Sequence, residues 1–184
     1  MTRRQLSLFG LASAALPQLR AQRPEEGSWG AILRKRLPAY GHRNWVVIAD
    51  SAYPLQSNPG IETIVSGEDH LHVLQLALEE ISKMPHVRPV IHTDKELQFV
   101  PDSDAPGISA YRQRLASVLG DRQVSTAPHL DIIHQLDEAA KIFNVLIIKT
   151  TMTLPYTSVF LELAAAYWSD DAEKRLRQSM TSGR

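Results

Sequence analysis

The sequence predicts a single α/β domain of three layers, with a mostly parallel or mixed sheet flanked by helices. Three features of the 184-residue chain carry that prediction. Trp45-Val46-Val47-Ile48-Ala49 and Val145-Leu146-Ile147-Ile148 are continuous apolar runs, the pattern of strands covered on both faces. Around them, apolar residues recur at spacings of three and four, as in helices with one buried stripe. Strand and helix patterns alternate along the chain with no internal repeat, low-complexity segment or interdomain linker, the order of a layered α/β architecture.

The elements follow in order. Arg23-Pro24-Glu25-Glu26-Gly27 is a polar linker, and Ser28 is a helix N-cap. Trp29, Ile32, Leu33 and Leu37 give the first helix its apolar face, and Pro38 ends it. Gly41-His42-Arg43-Asn44 is a turn into the strand 45–49, which stops at Asp50 before a loop from Ser51 to Gly60. Ile61 to Val65 is a second strand. Ser66-Gly67-Glu68-Asp69 supplies a cap and acidic first turn for a helix buried through Leu71, Leu74, Leu78 and Ile81. Val87 to His92 is a third strand, and Pro101 to Gly107 a loop. Ile108, Tyr111, Leu115 and Val118 mark the next helix. Another runs from Leu130 to Ile142, with Ile132, Leu136 and Ala140 inward. Strands at Asn144 to Thr150 and Tyr156 to Leu163 follow, and the tail from Asp170 is charged, helical in pattern and peripheral.

Composition removes several function classes. Twenty basic and 20 acidic residues leave a net charge of +0, so no global field favours nucleic acid or anionic lipid. With no cysteine, disulfides, thiolate catalysis and Cys-based zinc sites are excluded. His70 and His72, two apart on a helix, point to different faces and make a poor chelate, so no metal site is expected. Neither a nucleophile elbow nor a phosphate-cradling glycine loop occurs. The N-terminus reads as an export signal over residues 1–22, leaving 23–184 as the domain. Arg3-Arg4 precedes a short apolar run in the manner of a twin-arginine leader, too short to span a membrane as a mature helix. A periplasmic or secreted location is therefore expected.

Five positions suit acid/base chemistry and hydroxyl binding near neutral pH. His42 lies in the turn entering the first strand, and Asp50 ends that strand, where open α/β sheets bind ligands. His134 is on the helix before the penultimate strand. Tyr156 begins the last strand, with Ser158 two residues on and so on the same face. His86, His92 and His129 read as loop or strand-end residues.

The spacing of these residues resembles the ribose pyranase and fucose mutarotase family. Gly41-His42, Asp50 eight residues after that histidine, and Pro54 are similar to the family's Gly-His, Asp and Pro. His134, 22 residues before Tyr156, is similar to the family's His or Arg ahead of a Tyr-x-Asn strand. The likeness runs from about Ile32 to Leu163. It implies a cofactor-free isomerase that opens and recloses the ring of a reducing monosaccharide. His42 would be the general acid/base, Asp50 would share proton transfer and bind sugar, and His134, Tyr156 and Ser158 would bind hydroxyls. The family's asparagine is Ser158 here, and its arginine after the Asp is absent from Pro59-Gly60-Ile61-Glu62. Those departures also fit a non-catalytic sugar-binding or assembly protein on the same fold.

Assembly follows from strand length. At about 3.3 Å per residue, His42 and Asp50 at opposite ends of one strand stand on the order of 20 Å apart. One sugar ring, about 5 Å across from bonds of about 1.5 Å, cannot touch both. A homo-oligomer with its sites at subunit contacts is expected. Both the head-to-tail contact and the family resemblance imply a ring.

Overall fold

The computed structural model describes residues 28–182, so the predicted export segment lies outside the described residues. Helix α1 (Trp29–Arg36) starts at Ser28, whose side chain accepts the Ala31 N–H, and runs into a 3-10 turn at Leu37–Ala39. Then come β1 (Trp45–Ala49), β2 (Ile61–Val65), α2 (His70–Ser82) and β3 (Val87–Asp94). A 3-10 turn at Lys95–Gln98 leads to α3 (Ile108–Leu119), β4 (Val124–Ala127) and α4 (His129–Ala140). The chain closes with β5 (Val145–Lys149), β6 (Val159–Ala165) and α5 (Asp170–Ser182). Among the described residues, no helix is long and apolar enough to cross a membrane.

One six-stranded sheet runs in the order β2-β5-β1-β6-β3-β4. Its pairs are parallel except those made by β6, which is antiparallel to both β1 and β3. The architecture is the mixed, helix-flanked sheet that the sequence predicts. Because side chains alternate across a strand, the apolar runs feed two cores. Val46, Ile48, Leu146, Ile148 and Leu161 pack with α1, α2 and α3, while Val47, Ala49, Ile147 and Phe160 pack under α4 through Ile132 and Leu136. Trp29 and Trp45 are core residues. Gly60 is required where it stands, since a Cβ there would lie 2.2 Å from the Ala140 carbonyl oxygen at the end of α4.

Strand β3 runs two residues past the expected His92 to Asp94, β5 is one residue shorter at each end, and two strands differ more from the sequence expectation. Strand β4, Val-Ser-Thr-Ala, was not expected; it is a four-residue edge strand with Ser125 and Thr126 exposed, so it carries no apolar run. Strand β6 begins at Val159, not Tyr156. Tyr156 has φ +56°, a left-handed conformation that no extended strand admits, and the Thr157 hydroxyl closes the preceding turn by donating to the Leu154 carbonyl at 2.8 Å. Tyr156 and Ser158 therefore do not share a strand face.

Candidate active site

The sheet's topology gathers polar groups at one edge. Strands β1, β3 and β5 end there, and the antiparallel β6 starts there. This is the carboxyl end of the strands, the side on which open α/β sheets bind ligands. Val159 pairs with Ile48 on one side and Thr93 on the other. The ends of β1 and β3 thus flank the start of β6, two strand spacings or about 10 Å apart.

Asp50 caps β1 and is held on both oxygens. Its Oδ1 accepts the Ala52 N–H at 2.8 Å, and its Oδ2 accepts the Ser158 hydroxyl at 3.0 Å. Ser158 Oγ in turn accepts the Asp50 N–H at 3.3 Å. Ser158 is 2% exposed with its hydroxyl committed to Asp50, so it orients the carboxylate.

Beneath Asp50 lies a braced floor. The Thr150 hydroxyl donates to the Ala49 carbonyl at 2.8 Å, which leaves its oxygen to accept from His70 Nδ1 at 3.1 Å. That assigns the Nδ1–H tautomer to His70, whose Nε2 is buried with no hydrogen-bond partner. Burial pulls the His70 pKa from 6.5 down to about 4, against the opposing pull of Asp50 and Asp69, so the ring is neutral. The Tyr111 hydroxyl donates to the Thr157 carbonyl at 2.9 Å, and burial pushes its pKa far up. These contacts fasten the segment that carries Ser158.

The β3 side holds a second group. His129, the first residue of α4, places Nδ1 3.0 Å from Asp94 Oδ2, and its backbone N–H donates to the Glu96 carboxylate at 3.0 Å. The Tyr156 ring meets the His129 ring edge-to-face at 5.7 Å. Asp94 is 1% exposed; burial raises its pKa from 3.8 to about 6, His129 opposes that, and the charges of Glu96 and Asp50 add to it. The Tyr53 hydroxyl is buried without a partner and feels the charges of Asp137, Asp94 and Asp50, which link the two halves of the site.

Of the sequence-predicted residues, Asp50 and Ser158 come into contact, and Tyr156, 40% exposed, stands beside His129. His134 is exposed on α4, five residues beyond His129. His42 is exposed in the turn before β1, at the opposite edge of the sheet. The five rises from Trp45 to Asp50 alone amount to about 16 Å, so one chain does not bring His42 and Asp50 together. His70 and His72 do point apart: His70 is fully buried, whereas His72 lies at the surface 3.5 Å from Glu68. Sequence reasoning gave no site role to His129, Asp94, Tyr53 or His70, and His129, read as a loop or strand-end residue, is the first residue of α4. The one local sign was His129 following Pro128 at a helix start, which is not specific.

No protein-family model and no curated protein matches the chain. Solved structures do. Bacillus subtilis RbsD complexed with D-ribose is similar at 16% identity and a TM-score of 0.52, over 73% of this chain and 92% of that one. The fucose mutarotase from Streptococcus pneumoniae in complex with L-fucose aligns at 22% identity and a TM-score of 0.49, over 77% and 95%. FucU from Bifidobacterium longum aligns at 15% identity and a TM-score of 0.48, over 72% and 92%. The chain shares the fold of Bacillus subtilis RbsD.

Proposed function

We propose that this protein is a cofactor-free sugar mutarotase that interconverts the anomers or ring forms of a reducing monosaccharide. The observation that carries the reading is the Asp50–Ser158 pair at the carboxyl edge of a fold shared with a sugar-bound protein. A carboxylate held by two donors keeps lone pairs free for sugar hydroxyls. Tyr156 offers a ring face for the C–H side of a sugar, and the exposed His134 adds a hydroxyl contact.

Ring opening moves one proton from the anomeric hydroxyl to the ring oxygen, so it needs an acid and a base together. His42 is the acid/base in this reading, supplied by a second copy of the chain because its own Asp50 is a strand length away. The working form is then a homo-oligomer closed into a ring, with the sites at its contacts. Export through the Arg3-Arg4 leader places it in the periplasm or outside the cell. A second reading, non-catalytic sugar binding, is favoured by one observation: the Ser158 hydroxyl proton is committed to Asp50 and is not available to a sugar. Magnetisation-exchange NMR on a panel of aldoses separates the two. Faster anomer exchange supports the enzyme, whereas binding without faster exchange supports the second reading.

A further inference from the structure

His129 and Asp94 form a unit that the sequence pattern does not announce. The two are 35 residues apart and meet because α4 begins over the end of β3. Asp94 is a buried carboxyl with Oδ2 on the ring of His129 and Oδ1 without a partner. The backbone N–H of His129 is anchored on Glu96, and the ring itself is held between Asp94 and Tyr156. With Nδ1 directed to Asp94, Nε2 is the free nitrogen, on a side chain 33% exposed beside the exposed ring of Tyr156. A histidine oriented by a buried carboxylate through Nδ1, with Nε2 left free on a part-exposed ring, is the arrangement that makes imidazole an effective base.

We propose that His129 is a proton-transfer residue of this site and that Asp94 is its positioning residue, so that one of the two proton-transfer groups comes from the same chain as Asp50. The inference rests on the mutarotase reading. In the opening direction, His129 Nε2 takes the proton of the anomeric hydroxyl. The bond between the anomeric carbon and the ring oxygen breaks, and its electron pair goes to the ring oxygen. That oxygen receives a proton from the protonated His42 of a second copy. The products are the open-chain aldehyde, a neutral His42 and a His129 imidazolium beside the Asp94 carboxylate. After rotation about the adjacent carbon–carbon bond, the same transfers run in reverse. Asp94 does not touch the sugar; it fixes the tautomer of His129 and stabilises the imidazolium. The spacing allows this, since the ends of β1 and β3 are about 10 Å apart and a sugar ring is about 5 Å across with bonds of about 1.5 Å.

The test uses the full chain, a sugar whose exchange the wild type accelerates, and the variants His129→Gln and Asp94→Asn. The partly exposed His129 tolerates replacement, and thermal melting verifies folding. Both variants are expected to lose about 10²-fold or more in kcat, with KM within about threefold. Nitrogen-15 NMR of the His129 ring is expected to show the Nδ1–H tautomer in the wild type and a shift towards the other tautomer in Asp94→Asn, which a purely structural role for Asp94 would not produce. A folded His129→Gln protein with kcat within threefold of wild type overturns the proposal and leaves the mutarotase reading intact. Wild-type protein that accelerates no sugar overturns that reading and the proposal with it.

Discussion

Replacing Asp50 with asparagine isolates the charge that the proposed site is built around. The substitution keeps the size of the side chain and keeps an oxygen to accept the Ala52 N–H now bonded at 2.8 Å. The Ser158 hydroxyl, now donating at 3.0 Å, rotates to accept from the new amide, so the fold is retained. What disappears is the anionic acceptor for sugar hydroxyls. A hydrogen bond to a charged group contributes about 1.5–3 kcal/mol. That corresponds to a loss of affinity of about 10- to 140-fold at about 1.4 kcal/mol per decade. Isothermal calorimetry with a sugar bound by the wild type measures it, with thermal melting as the control for folding. A folded Asp50→Asn protein whose affinity stays within about twofold of wild type refutes the placement of Asp50 in the site.

Other outcomes follow from the same geometry. His70, its pKa lowered from 6.5 to about 4, is neutral when folded, so its contribution to stability is present above pH 6.5 and lost as pH falls towards 4, by about 3 kcal/mol in all. Asp94 is shifted up from 3.8 to about 6, so its contribution is lost as pH rises through that window. The two slopes oppose each other; denaturant melts from pH 4 to 6.5 should show stability falling with pH in His70→Gln and rising with pH in Asp94→Asn, and parallel curves would contradict the assignment. Phe160→Ala, truncating a fully buried ring under α4, should cost about 3–5 kcal/mol in the same melts. Inactive His42→Ala and Asp50→Ala proteins, mixed and reassembled, should recover partial activity; no recovery after verified mixing speaks against a shared site. Replacing Arg3-Arg4 by Lys-Lys should retain the protein in the cytoplasm, and continued export rules out the twin-arginine route.

The fold was legible where burial leaves a mark on composition. Strands β1 and β5 are covered on both faces and read as unbroken apolar runs, while the helices show one stripe each. Strand β4 was not legible, because a four-residue edge strand with exposed Ser125 and Thr126 has no pattern to show. The start of β6 was misplaced because Tyr156, aromatic and next to a strand, takes a left-handed backbone angle that residue type does not betray. In the candidate site, Asp50 was read from its place at a strand end and Ser158 from its spacing after Tyr156; the structure joins the two by a hydrogen bond, which gives Ser158 the role of orienting the carboxylate. The His129–Asp94 pair is made by tertiary contact alone. His70, in a His-Leu-His stretch, resembles a surface histidine in sequence, and only the packing of α2 on the sheet buries it.

The proposed mutarotase accelerates the ring opening and closing of a reducing sugar. Magnetisation-exchange NMR measures that directly, by saturating one anomeric proton and following transfer to the other across a panel of aldoses. At least one sugar is expected to exchange faster with catalytic amounts of the wild-type protein, and His42→Ala is expected to return it to the uncatalysed rate. Uncatalysed exchange for every sugar, including any that calorimetry shows to bind, would contradict the mutarotase reading.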